Sequence, residues 1–409
     1  MGNKNPKPKT QKRKILLYGD YYHDASGFAK IFLDLIPELL KAGWDVRQVG
    51  LRYTGINRPK KELIRVYPTQ IKGVQDYWSA EILEMAIQDF EPDIVLTQQD
   101  YFMLPHITPV LSKPFRKEFK WIHYGVMDGA PFAKEMIPAT SWAHYHIYAA
   151  DFTKNTVEKA IPGIRGETIY PAVDTDIFKP IDKKAIRKKF NLDKTFNIIF
   201  VGRNQYRKNI PALFEAVKKL VPIIPNIRLI YHSIPTITPQ GTPNSHELTA
   251  ISKELEIEEY ISHVQGDTSN ILPYKIINEL YNAGDVLVLP TMGEGFGLPL
   301  TEAMAAGLPT IGTDCSAVTE VIGDRGLLAK VAGWTYVDTG CKHAIVDVND
   351  LAQCIYRMSG DENLRKESIK RGLEFTECLT PEKVAKRFIK VFEKVLKEDY
   401  QPLAVEKML

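Results

Sequence analysis

From Lys14 onward, short runs of branched apolar residues alternate with segments whose apolar positions recur every three or four residues. KILLYG leads into GFAKIFLDLIPELLKAG, and WDVRQVGL, SAEILEMAIQDF and DIVLTQ follow in turn. In the first helical segment Phe28, Phe32, Leu35, Ile36 and Leu39 share one face, and Gly43 marks its end. KWIHYGV and HYHIYAA read as further strands, the second leading through Asp151 into a short helix. Strands joined by helices in this way call for a mostly parallel sheet covered on both faces.

The pattern breaks at IYPAVDTDIFKP, where Pro171 and Pro180 bracket an extended polar stretch suited to a domain crossover. It then restarts. Helices are predicted at about 182–190, 208–220, 247–255, 274–283 and 299–306, between the strand-like runs FNIIFVG, IRLIYHS, YISHVQ, DVLVLP and PTIGTD. TPEKVAKRFIKVFEKVL near the end is a strongly amphipathic helix. The expected division is a tail at 1–13, one α/β domain at 14–170, a second at 171–379 and a terminal helix at 380–409. Two such halves facing each other would hold a ligand at the carboxyl ends of their strands.

Composition supports two domains without changing the picture. The chain has 409 residues, 44% hydrophobic and 25% charged, ordinary values for a globular protein too long for one core. Cys315, Cys341, Cys354 and Cys378 show no C-x-x-C spacing and read as reduced thiols, so a cytoplasmic setting is expected. No apolar run reaches the roughly 20 residues a membrane span needs. Residues 1–14 carry six Lys or Arg and no acid. They lack the apolar stretch of a secretory signal, and Pro6 occupies the position where a myristoylation motif wants Ser or Thr. A solubilising tail is the expectation; a weak contact with nucleic acid or an anionic membrane surface is the sharper alternative, which a net charge of +3 does not favour.

Candidate chemistry concentrates in DVLVLPTMGEGFGLPLTEAMAAGLPTI, residues 285–311. A buried strand ends at Pro290, a turn with Gly293, Gly295 and Gly297 follows, and Pro299 suits the first turn of a new helix. Such a turn exposes amides to an anion. Glu294 and Glu302 frame it. Two carboxylates repel phosphate, so hydroxyl groups on a ribose and a sugar suit them better. The positive complement is VGRNQYRKN, with Arg203 and Lys208 just beyond the first strand of the second half. Arg207 adds charge, but Lys208, at the expected start of the helix, ranks ahead of it as a phosphate partner.

VGRNQYRKN followed by EGFGLPLTEAMAAGLP resembles the retaining GT-B glycosyltransferases of family 4, marked by two glutamates separated by seven residues. The likeness runs through PAVDTDIFKP and YNAGDVLVLP and covers most of 165–395. It implies two Rossmann-like domains facing a cleft, a nucleotide-sugar donor held mainly by the second, no metal or other cofactor, and a last helix crossing back onto the first domain. It further implies that Glu302 meets the ribose hydroxyls, that Arg203 and Lys208 neutralise the diphosphate, and that Glu294 lies near the transferred sugar without acting as a nucleophile. The amides of Gly295, Phe296, Gly297 and Leu298 would contact sugar or phosphate. In the first half, GDYYHDASGFAKIF resembles the family's glycine loop, with Ser26–Gly27 in place of paired glycines, so that Gly27 would meet the donor phosphate. His123 matches a histidine facing the donor sugar. His23 and Asp128 are candidates for the acceptor, whose class stays open among a glycan, a lipid-linked sugar, a small molecule and a modified nucleic-acid base. His144 and His146 share a strand face but lack a third metal ligand.

Two stretches depart from the pattern: IPTITPQGTPNSHE at 234–247 and VAGWTYVDTGCKH at 331–343. A sugar-nucleotide epimerase, or a non-catalytic subunit that binds a sugar nucleotide, is the alternative on the same fold.

Overall fold

A computed structural model describes residues 12–24, 26–56, 62–70, 78–233, 245–265, 272–398 and 400–403. Most of the basic tail and of the 234–247 segment lies outside them. Among the described residues no helix is long and apolar enough to cross a membrane, and all four cysteines are unpaired.

Seven strands build the first sheet: β1 (Lys14–Asp20), β2 (Asp45–Leu51), β3 (Arg65–Pro68), β4 (Ile94–Asp100), β5 (Lys120–Val126), β6 (Tyr145–Tyr148) and β7 (Gly166–Thr168), in the order β3-β2-β1-β4-β5-β6-β7. β1 runs parallel to both neighbours, with Lys14 opposite Asp45 and Ile15 opposite Ile94. Ile15, Leu16, Leu17 and Tyr18 are all buried, as expected of a strand covered on both faces. Six strands build the second: β8 (Phe196–Val201), β9 (Ile227–His232), β10 (Ile261–His263), β11 (Val286–Leu289), β12 (Thr310–Thr313) and β13 (Gly326–Ala329), in the order β10-β9-β8-β11-β12-β13, with every neighbouring pair parallel. Its strand order reverses between β8 and β11, which opens a crevice at the carboxyl ends of those two strands.

Contacts group the chain into two compact units that interleave in sequence. One comprises Met1–Tyr124, Pro138–Ile147 and Ala385–Leu409, the other Gly125–Ile137 and Tyr148–Val384. Contiguous blocks ending at 170 and 379 were expected; the observed grouping follows specific tertiary bonds. In the second unit, Lys342 N–H donates to Ala130 O at 2.8 Å, and Glu320 accepts from Asp151 N–H and Phe152 N–H at 2.8 and 3.1 Å. In the first unit, the helix Pro381–Lys397 sets Phe388 against Tyr124 and Phe392 against Trp44, with ring centroids 5.2 and 5.7 Å apart.

The stretch at 331–343 contributes to an antiparallel hairpin, β14 (Val331–Tyr336) and β15 (Lys342–Val346). Its alternating exposed and half-buried side chains along β14 show a period of two, which a search for parallel-sheet runs passes over. One helix start also differs from expectation. Lys208 closes a single 3-10 turn, Tyr206–Lys208, Asn209 turns left-handed with φ of 50°, and the α-helix begins at Ile210.

Candidate active site

The topology brings two loops together at the β8/β11 crevice. The loop after β8 carries Arg203, Arg207 and Lys208; the loop after β11 carries Gly293 to Gly297. Met292 N–H donates to Arg207 O at 2.6 Å, and Thr291 Oγ1 donates to the same oxygen at 3.0 Å, tying one loop to the other. Gly293 is required here, because a Cβ would lie 2.0 Å from Asp128 O. Gly297, at φ +97°, caps the helix Leu298–Ala305, with Pro299 in its first turn. Pro299 has no N–H and Leu300 N–H donates to Gly297 O at 2.8 Å, so of the first turn it is the Leu298 amide that suits an anion.

Glu294 is buried at the centre. Lys208 Nζ donates to its Oε1 at 2.5 Å, Arg207 Nη1 donates to its Oε2 at 3.0 Å and to Gly293 O at 2.9 Å, and Glu294 N–H donates to Ser316 Oγ at 2.9 Å. Burial alone would push the Glu294 carboxyl up, but the two cations outweigh it and hold the group below its usual value. The chain of charges continues. Arg207 Nε is 3.7 Å from Asp128, and His343 Nε2 is 3.1 Å from the other Asp128 oxygen. Burial would lower the imidazole, yet Asp128 and Cys341 raise it to about 9. Three cations thus face two carboxylates at neutral pH, an excess of positive charge suited to a phosphate.

Lys208 and Glu294 therefore come together. Arg207, ranked behind Lys208 on sequence, shares the same carboxylate. Asp128, expected to touch acceptor, is a member of this cluster. His343 and Ser316 were missed; each becomes informative only through a partner distant in sequence. Arg203 is exposed on the β8 loop. Glu302 is buried in the helix after Gly297 and accepts from Tyr281 Oη at 2.9 Å. Phe296 is buried, its ring 5.3 Å from that of Tyr170. Cys341, Asp128 and His343 place ligand-type atoms within 4.8 Å of one another, and the carboxylate–imidazole ion pair accounts for two of the three.

The first unit holds the remaining candidates. His123 is fully buried on β5, with Nδ1 2.9 Å from Thr97 Oγ1 and Nε2 without a partner among the described residues. Burial, reinforced by His146, holds its pKa well below the ordinary value, so the ring is neutral. Ser26 Oγ accepts from Ala29 N–H at 3.0 Å and donates to Asp20 at 2.5 Å, capping the helix that Gly27 begins. Ser26 is thus a helix cap. His23 is exposed beside Tyr22, with ring centroids 4.0 Å apart.

Residues 182–375 match the family described as glycosyl transferases group 1. This stretch contains Arg203, Lys208, Glu294 and Glu302. The chain is 27% identical over 215 residues to a D-inositol 3-phosphate glycosyltransferase of Mycobacterium sp. (strain KMS), a match spanning 52% of this chain and 44% of that protein. It is 30% identical over 167 residues to the enzyme of the same name from Stackebrandtia nassauensis, spanning 39% and 36%. The chain therefore covers less than half the length of these curated relatives. Among solved structures, it is similar to a sucrose-phosphate synthase from Thermosynechococcus elongatus, with TM-score 0.77, 17% identity and coverage of 94% of this chain and 100% of that one. It is also similar to Anabaena HepE in complex with UDP and glucose, with TM-score 0.70, 14% identity and coverage of 94% and 100%. The architecture is that of GT-B glycosyltransferases: two α/β domains with parallel sheets.

Proposed function

We propose that the chain is a glycosyltransferase that moves a sugar from a nucleoside-diphosphate sugar to an acceptor hydroxyl, with retained anomeric configuration and without a metal. The observation that carries this is the buried Lys208–Glu294 pair with Arg207 on the same carboxylate, beside the Gly-rich turn and inside the stretch that matches the family. The bond from the anomeric carbon to the diphosphate breaks, a bond to the acceptor oxygen forms, and the acceptor hydroxyl's proton passes to the departing diphosphate. Negative charge grows on the departing diphosphate, where Lys208 and Arg203 stabilise it together with the amides from Gly295 to Leu298. Glu294, itself held by Arg207, fixes the Lys208 ammonium, and its carboxylate is assigned to the transferred sugar.

Glu302, oriented by Tyr281, takes the ribose hydroxyls. The intact charged cluster favours an enzyme over a non-catalytic binding subunit, and nothing in it favours an epimerase. Four unpaired cysteines fit the cytoplasm. UDP-linked donors are the first to try, since a structural neighbour binds UDP. The test is nucleoside-diphosphate release from a panel of UDP-, GDP- and ADP-sugars, with and without EDTA. Release that persists in EDTA is expected; release abolished by EDTA and restored by Mn²⁺ overturns the metal-free site.

A further inference from the structure

The β14–β15 hairpin is bonded to the active-site loops on two sides. Ala344 N–H donates to Met292 O at 2.8 Å, next to the Gly-rich turn, and Lys342 N–H donates to Ala130 O at 2.8 Å. Between these anchors lies a cavity of about 300 Å³. Phe152, Met292 and Trp334 supply apolar wall, while Asp128, Ser316 and Lys342 supply a carboxylate, a hydroxyl and an ammonium group. All of these belong to the second unit. Trp334 is 57% exposed, unusual for so large an apolar ring, and Tyr336, two residues along the strand and therefore on the same face, is 70% exposed.

We propose that this cavity binds a pyranose ring of the acceptor, an inference that rests on the glycosyltransferase reading. A pyranose has an apolar C–H face that stacks on an indole and an edge of hydroxyls that require charged or polar partners. The cavity offers both: the Trp334 ring on one side, and Asp128 and Lys342 within the same enclosure. The volume lies at the small end of the range for ligand sites and is enough for one sugar ring. Asp128 also connects the cavity to the reacting centre, since Arg207 joins it to Glu294. Tyr336 lies about 6.6 Å further along the strand, with the Lys342 ammonium 4.9 Å from its ring centre. The acceptor is therefore a saccharide or a saccharide-bearing molecule.

Saturation-transfer difference NMR tests this with methyl α-D-glucopyranoside, methyl α-D-mannopyranoside, methyl β-D-galactopyranoside and maltose, using adenosine and thymidine as nucleoside controls. Wild-type protein should saturate the ring protons of at least one pyranoside. Covering about 60 Å² of sugar face is worth about tenfold in affinity, so Trp334→Ala should weaken binding about tenfold and Trp334→Phe less. Both changes fall on an exposed ring, and thermal melts check that the fold is kept. Slow hydrolysis of the nucleotide sugar by wild-type protein, which needs no acceptor, reads the donor site separately. If no pyranoside saturates, if Trp334→Ala binds as well as wild type, or if only the nucleosides saturate, this inference is overturned. Donor hydrolysis that continues in those cases leaves the glycosyltransferase reading standing; its absence from wild-type protein counts against that reading instead.

Discussion

Replacing Glu294 by Gln keeps the shape of the side chain and removes the charge that Lys208 and Arg207 share. Lys208 and Glu294 are both buried, with side-chain exposures of 10% and 6%, while Arg207 is 32% exposed and open to solvent. Breaking a buried pair by neutralising one partner costs about 3–5 kcal/mol, and the solvent reaching Arg207 puts this site at the low end, about 3 kcal/mol. For a unit of this size that lowers Tm by roughly 6–12 °C. Neutralising Glu294 also leaves Lys208 with no competing carboxylate when a diphosphate arrives. A charge-assisted hydrogen bond is worth about 1.5–3 kcal/mol, so the nucleoside diphosphate should bind roughly 10- to 150-fold tighter to Glu294→Gln. At the same ligand concentration, each tenfold adds about 1.4 kcal/mol of stabilisation. The variant should therefore melt lower when free, show a larger thermal shift with nucleoside diphosphate, and turn over more slowly because sugar-side charge is lost and product is held. Melts with and without the diphosphate, beside steady-state kinetics, measure all three. A free Tm within 2 °C of wild type and an unenlarged ligand shift would refute the counter-ion role of Glu294.

Glu302→Ala should act in the opposite way, raising the donor KM roughly 10- to 150-fold with kcat little changed, because a ribose contact is the same in ground and transition states; steady-state kinetics decides it. Gly293→Ala places a Cβ 2.0 Å from Asp128 O, so backbone must move; a lower melting temperature and loss of activity are expected, and an unchanged melt would show the turn to be adaptable. His343, raised from 6.5 to about 9 and largely buried, contributes stability that is fully present below about pH 6.5 and lost as pH rises through 9. That rise corresponds to about 3 kcal/mol at most, so His343→Gln should flatten the fall in Tm between pH 6.5 and 9, and parallel melting profiles would contradict the ion pair.

Periodicity and local chemistry were enough to locate much of this protein. The alternation of strand and helix from Lys14 onward determined the parallel sheets, because side chains in a buried strand and a surface helix are selected residue by residue for the face they meet. The turn at Gly293–Gly297 and the cations after β8 were legible for a similar reason: a helix N-terminus beside a strand end needs glycine, proline and charge within a few residues. What only the tertiary structure decided were pairings between residues far apart in sequence. Arg207 and Lys208 differ little as sequence neighbours, and it took the β8/β11 crevice to show both on one carboxylate. Asp128 and His343 lie 215 residues apart, and neither predicts the other. The 331–343 segment registered only as a departure from pattern. Its bonds to Ala130 and Met292 made it the wall of a cavity, because a backbone hydrogen bond carries no signature in side-chain identity.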